Sequence, residues 1–279
     1  YSRPGDGIVA EPLVYPGLLT AAQQLGRRIL VAETDADGMT PAGLERACRD
    51  GARLVYLNPT LQNPTAHTMS AARRRDLLRS AAACGVRIIE DDPYSLFLDD
   101  APPALASLAP ASVFHIATLA KTLTPGLRTA FVLTPDQDGR RNVLAAMRSF
   151  AVMAAPLMGV LTTQWIASGM AQQILDGVRA EAHARQRLAR QLLPGPFPAA
   201  AAGIHLWQAL PDRWTAADLE RVARDEGLSV TSSDVFHQDR VHPMPSAFRW
   251  AAFPTARNWR RRWSTWPAWC DAGHAGCAM

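Results

Sequence analysis

VFHIATLAKTLTPGLR, residues 113–128, joins a β-branched and aromatic run to a polar loop that ends in Pro-Gly. The run VFHIA reads as a strand, and Thr118, Lys121 and Arg128 fall in the loop that leaves it. A hydroxyl, an amine and a guanidinium within one loop suit a phosphate with an aldehyde nearby. The amine is unusual in this chain: of 29 basic residues, 28 are arginine and one, Lys121, is lysine. Arginine replaces lysine at most surface positions, but its guanidinium cannot form an imine and does not release a proton in proteins. A polar loop with ordinary surface charges is the alternative, and it has to explain why the single lysine falls there.

Outward from this loop, short β-rich runs alternate with helical patterns: IVA at Ile8, RIL at Arg28, LVYL at Leu54, VRIIE at Val86, VFHIA at Val113 and AFVLT at Ala130. Between them lie YPGLLTAAQQLG, PAGLERACRDG and SAARRRDLLRSAAACG. Proline near the start and glycine at the end bound the first two, and Ser70 precedes the third. This rhythm predicts an α/β sheet, whose ligands bind where the strands end. Beyond Arg140 helical stretches dominate, the longest from Gln172 to Leu193, which closes at LPGPFP. GIHLWQAL and LSVTSSDVF then read as strands flanking a helix, AADLERVARDEG, closed by Gly227. The expected organisation is a large domain over residues 1–170, a connecting helix over 171–193 and a small α+β domain over 194–279.

The composition fits a globular chain of 279 residues, with 48% hydrophobic and 19% charged residues, and argues against disorder. The apolar stretch over residues 151–161 is too short to span a bilayer, and a cytoplasmic protein is expected. A net charge of +4 suits an acidic partner in principle, but the arginines are scattered and read as solvated faces. The four cysteines form no CxxC pair and read as packed side chains. Cys270, His274 and Cys277 are neighbours in the sequence, and no metal site is expected from them.

Two more strand ends carry chemistry. LQNPTAHTMS places Asn63 after LVYL, where its amide can donate to a cofactor oxygen, although Asn-Pro is also a common turn. IIEDDPYSLF places Asp91 at the end of a buried strand and Tyr94 three residues on. A carboxylate there can keep a pyridine nitrogen protonated, and acidic residues before proline also start turns.

Taken in order, the three segments resemble the large domain of class I/II, fold-type I aminotransferases dependent on pyridoxal phosphate (PLP). The family motifs NPTG, D-x-x-Y and S-x-x-K with a following Arg correspond to Asn63-Pro64-Thr65, Asp91 with Tyr94, and Thr118 with Lys121 and Arg128. The resemblance implies a three-layer α/β large domain with a smaller α+β domain and a homodimer. It implies that Lys121 holds PLP as a Schiff base and acts as the base at the substrate α-carbon. Asn63 and Tyr94 would bind the phenolic oxygen, Asp91 the pyridine nitrogen, and Thr118 and Arg128 the phosphate. Tyr15 in EPLVYPGL matches the aromatic residue that stacks on the ring, with core packing as its alternative, and Arg249 in SAFRWAAF matches the arginine that grips the substrate carboxylate. Two positions depart from the pattern: Ala66 stands where NPTG has glycine, and Thr129-Ala130 follows Arg128 where glycine is common.

A closer resemblance is to the aminotransferase-like part of MocR-type regulators, in which a GntR-type winged helix precedes the PLP domain. It is carried by YPGLL, PTLQNPT with TMSAARRR, IIEDD, KTLTPGLR, WIASG and GIHLWQALP. The chain opens at a point that corresponds to the interior of the large domain, so a truncated form without the glycine-containing phosphate loop is expected, and DNA contact would require a missing N-terminal domain. The expected activity is transamination between an amino acid and a 2-oxo acid. The alternatives are an amine-sensing effector domain without full turnover and an inactive fragment.

Overall fold

The structure is a computed structural model that describes residues 1–192, 202–210, 215–225, 227, 229–238 and, as backbone, 247–251. In chain order the elements are β1 (Gly7–Ala10), α1 (Pro16–Gln24), β2 (Arg28–Val31), β3 (Thr34–Asp35), β4 (Gly38–Met39), α2 (Pro41–Arg49), β5 (Ala52–Leu57), α3 (Ala71–Cys84), β6 (Arg87–Asp91), α4 (Leu105–Leu108) and β7 (Val113–Thr118). They continue with β8 (Ala130–Leu133), α5 (Gln137–Ala151), α6 (Pro156–Ala167), α7 (Met170–Leu192), β9 (His205–Ala209), α8 (Ala216–Asp225), β10 (Thr231–Ser232) and β11 (Ala247–Ala251). All six runs expected as strands in the first half are strands.

They form one sheet in the order β2-β1-β5-β6-β7-β8, parallel throughout except that β8 runs against β7. Successive strand residues point to opposite faces, and the core divides accordingly. Val9, Val55, Leu57 and Ile88 pack with Leu44 and Ala47 of α2 and Leu77 and Ala81 of α3. Ile8, Ala10, Leu54 and Tyr56, with Ile89, pack with Ala22, Leu18 and Leu19 of α1. The result is helix, sheet, helix.

The helix limits follow local chemistry. Thr40 caps α2 by accepting from Gly43 N–H at 3.0 Å, with Pro41 at the first helical position. Ser70 caps α3 by accepting from Arg73 N–H at 3.1 Å, and Gly85 ends that helix with a left-handed φ of 65°. α7 lays Ala182 and Val178 against Leu61, Tyr94 and Phe97, and so packs over the loops at the strand ends.

A second sheet, in the order β10-β11-β9, follows α7. Among the described residues of the run LSVTSSDVF, Thr231 and Ser232 alone are strand; Ser233–Phe236 form a 3-10 turn. Ser232 Oγ accepts from Asp234 N–H at 3.1 Å, which gives the backbone a turn in place of the ladder. The turn buries Phe236 edge-on to Trp207 and lets Phe236 O accept from Val14 N–H at 3.0 Å. The LPGPFP boundary lies outside the described residues. No described helix is long and apolar enough to cross a membrane.

Two positions invite measurement. Ala66, standing where the NPTG pattern has glycine, holds φ at 57°, a left-handed backbone that costs an L-residue about 1–2 kcal/mol. Ala66→Gly is therefore expected to be neutral or to stabilise by up to about 1 kcal/mol in denaturant melts, although the same change in ordinary backbone costs about that much. Glu11 sits half-buried in a cleft of about 410 Å³ lined also by Pro12, Leu13, Asp35, Gln62 and His67. Burial pushes its carboxyl up from 4.5 to about 7, against the hydrogen bond it accepts from Met39 N–H. The folded state then holds a proton that the unfolded state has released, so stability falls as pH rises from about 4.5 to about 7. Glu11→Gln keeps the acceptor for Met39 and is expected to flatten that fall, by roughly 1–3 kcal/mol between pH 5 and pH 8.

Candidate active site

The loop that carries the lysine is an excursion between adjacent antiparallel strands. Thr118 pairs with Ala130 in register, and Leu119 N–H donates to Thr129 O at 3.1 Å just beyond. These pairings return the chain to its starting point, so Thr118 and Arg128 lie at the two feet of one loop with Lys121 on it. Thr118 Oγ1 accepts from Ala120 N–H at 3.2 Å, and Thr124 Oγ1 accepts from Gly126 N–H at 3.4 Å to start the turn Pro125–Leu127. Arg128 ends that turn in a left-handed conformation, φ 47°. Lys121 is exposed, while neighbouring Thr122 is buried with Oγ1 unpaired.

Strand alternation separates two consecutive carboxylates at the end of β6. Asp91 shares the α1 side with Ile89, and Glu90 shares the α3 side with Ile88. On the first side, Tyr56 of β5 donates its hydroxyl to Asp91 Oδ2 at 2.5 Å. Burial pushes the Asp91 carboxyl up, and the Tyr56 bond pulls it back. Burial, reinforced by the negative charge of Asp91, also pushes the Tyr56 phenol up, so it serves as donor. Tyr15 and Tyr94 lie close enough to act on the same phenol, which brings Asp91 and three tyrosines together at the ends of β1, β5 and β6.

Asn58 links this strand end to the next loop. Its Nδ2 donates to Asp91 O and its Oδ1 accepts from Asn63 N–H, both at 2.7 Å. Asn63 is buried, follows a left-handed turn at Leu61, precedes a cis bond to Pro64, and leaves its side-chain Oδ1 without a partner. Tyr94 is buried with its ring edge-on to His205, 4.9 Å between centroids, and its hydroxyl 3.5 Å from His205 Nε2. Tyr15 is half-exposed before α1, its ring folded over Gly17, where any side chain would strike it.

On the other side of the sheet, Arg74 is fully buried. It donates to Met69 O, Pro103 O, Pro59 O and Thr60 Oγ1 at 2.8–3.2 Å and lies 3.8 Å from Glu90 Oε1. Glu90 in turn accepts from Leu105 and Ala106 N–H at 2.7 and 3.0 Å and meets His115 Nδ1 at 2.9 Å. The bond to Glu90 raises the His115 pKa, and burial lowers that of Arg74. Arg74 thus ties both ends of the loop bearing Asn63 to the strand bearing Asp91.

The structure brings Tyr15, Asn63, Asp91 and Tyr94 to one set of strand ends, with Thr118, Lys121 and Arg128 on the loop after neighbouring β7. The backbone of Arg249 lies in β11, opposite Trp207 of β9 and Thr231 of β10; its side chain, like Cys270, His274 and Cys277, lies outside the described residues. Sequence reasoning missed Tyr56, Asn58 and Arg74. For Arg74 a signal existed: it precedes Leu77 and Ala81 by three and seven residues, the spacing of a buried helix face.

The chain matches the family aminotransferase class I and II over residues 1–257. It is 33% identical over 236 residues to an uncharacterized HTH-type transcriptional regulator, YdeF, of Bacillus subtilis, covering 84% of this chain and 51% of that protein. To the 2-aminoadipate transaminase of Thermus thermophilus it is 26% identical over 246 residues, covering 83% of this chain and 61% of that one. The fold superposes on Pyrococcus horikoshii kynurenine aminotransferase with a TM-score of 0.85 at 21% identity, over 97% of this chain and 70% of that one. The protein is a fold-type I α/β protein. It belongs to the class I and II aminotransferase family, and it spans about half to three-fifths of the two curated relatives.

The cofactor of this family is PLP, and the residues present fit it. Asn63 Oδ1 is unpaired, so the amide can turn to offer N–H to a phenolic oxygen. Tyr56 occupies Oδ2 of Asp91, leaving Oδ1 for a ring nitrogen. Thr118 and Arg128 converge at the feet of the loop that carries the single primary amine of a side chain.

Proposed function

We propose that this chain is the PLP-binding unit of an aminotransferase acting on an amino acid and a 2-oxo acid, with Lys121 as the attachment point. The observation that carries the reading is the placement, at strand ends beside the Lys121 loop, of a part-buried Asp91 supported by Tyr56 and of an Asn63 whose side-chain Oδ1 is unpaired. When bound, the cofactor supplies an aldehyde to carry the amino group and a ring that withdraws electrons. Asp91 holds the proton at the ring nitrogen, and Tyr56 fixes that carboxylate. Thr118 and Arg128 anchor the phosphate, Asn63 and Tyr94 orient the phenolic oxygen, and Tyr15 covers the ring face. Lys121 Nζ moves the proton at the substrate α-carbon, and Arg249 grips the α-carboxylate.

Residues 1–170 would form the large cofactor domain, 171–193 the connecting helix and 194–279 the small domain. A cytoplasmic homodimer is part of the proposal. Phe131 and Leu133 of the edge strand β8, with Phe150 of α5, Met153 in the link that follows it, and Leu157 and Val160 of α6, are exposed apolar side chains that support burial against a second copy. The 33% identity to an HTH-type regulator favours a second reading, an amine-sensing domain coupled to DNA through a separate winged helix, in which full turnover is unnecessary.

Purified chain mixed with PLP, amino acids and 2-oxo acids distinguishes the readings. Cofactor uptake with two-substrate ping-pong turnover is the expected result. Uptake without turnover transfers the site to the sensor reading, and absence of uptake removes both. Tyr56→Phe is expected to weaken PLP binding about tenfold while leaving Lys121 attachment intact, the worth of one hydrogen bond to a charged group. An unchanged affinity would show that Asp91 does not need the phenol.

A further inference from the structure

Two thiols outside the site face each other. α2 and α3 are successive crossover helices packed on one face of the sheet, and both Cys48, near the end of α2, and Cys84, the last residue of α3, are half-buried against the core they share. The alignment of the helices is marked one turn earlier, where Ser80 Oγ donates to Glu45 Oε1 at 2.7 Å. Cys48 lies three residues beyond Glu45 and Cys84 four beyond Ser80, so one further turn brings the thiols to the same seam. The Cys84 thiol is close enough to Cys48 to hydrogen-bond with it and raise its pKa.

We propose that Cys48 and Cys84 form an oxidisable dithiol, a modification site that closes to a disulfide by exchange with a low-molecular-weight disulfide such as oxidised glutathione. Burial and the neighbouring Cys84 thiol push Cys48 up to about 12, so Cys48 keeps its proton and first attack falls to Cys84. The Cys84 thiolate displaces one glutathione thiolate to form a mixed disulfide. Cys48 then gives up its proton and attacks the Cys84 sulfur, releasing the second glutathione. Two cysteine thiols are oxidised, and one disulfide is reduced to two thiols.

The closed bond would tie the end of α2 to the end of α3 and enclose β5, Asn58, Asn63 and Arg74 between its ends. That segment carries the amide held against Asp91, so oxidation would constrain one wall of the site from behind, without any thiol in it.

The test is equilibration of the full chain with oxidised glutathione, followed by tryptic mapping without reductant. The expected product joins residues 47–49 to residues 80–87 in most molecules, with a Tm about 5 °C above that of the reduced chain and reversed by dithiothreitol. Cys84→Ser is expected to lose the cross-link and the Tm shift, and Cys48→Ser to stop at glutathione on Cys84. Mapping of the unsubstituted chain is independent of how the variants fold. Cys48 and Cys84 recovered as free thiols, each on glutathione, or joined to Cys270 or Cys277 would overturn the proposal.

Discussion

Arg74→Met is expected to destabilise the chain by about 3–5 kcal/mol, the cost of leaving a buried carboxylate without its cation. In a domain of this size that corresponds to a fall in Tm of roughly 10 °C. The effect should exceed that of an ordinary core truncation because Arg74 donates to four oxygens that lie on both sides of the Asn63 loop and on the chain before α4. Removing it takes a donor from Met69 O, Pro103 O and Pro59 O, the last of which keeps Met69 N–H, and leaves Glu90 dependent on two backbone N–H groups and His115. Arg74→Met combined with Glu90→Gln should recover about 1–3 kcal/mol relative to additivity, since the uncompensated charge disappears. Denaturant melts of the four proteins measure this directly. Strict additivity would mean that the 3.8 Å pair carries no coupling.

Lys121→Ala is expected to abolish covalent attachment of PLP and to lower turnover by about 10⁴-fold or more. The change removes both the attachment point and the base, and a positioned base alone is worth about 10²–10⁴. Absorbance after addition of PLP and removal of excess checks the first part, and a coupled assay for the 2-oxo acid product checks the second. Lys121→Arg should fail as completely, because a guanidinium keeps the charge but cannot take the aldehyde. Retained attachment in either variant would place the bond elsewhere. Folding should be spared in both, since Lys121 is exposed on its loop.

The sheet was legible because each strand is a short β-rich run set off by capped helices, and both signals are local. Thr40, Ser70 and Gly85 mark helix limits through hydrogen bonds and a backbone conformation that involve only near neighbours. LSVTSSDVF was misread beyond Ser232 because a serine hydroxyl competes with the ladder, and that outcome depends on burying Phe236 against Trp207. Tyr56 looked like one more apolar strand residue. Its role depends on Asp91, a partner 35 residues away on the neighbouring strand.

The sequence by itself determined the alternation of strands and helices, the segments that lie at strand ends, and Lys121 as the single side-chain amine able to form an imine. These are properties of residue type and short spacing. Tertiary structure alone decided which carboxylate serves which side. Glu90 and Asp91 are adjacent and chemically alike, but the pleat turns them to opposite faces, one to Arg74 and His115 and the other to Tyr56. It also decided that Thr118 and Arg128 stand together, because the antiparallel pairing of β7 with β8 closes the loop between them. Such pairings are set by register and packing between elements distant in the chain, which no local pattern encodes.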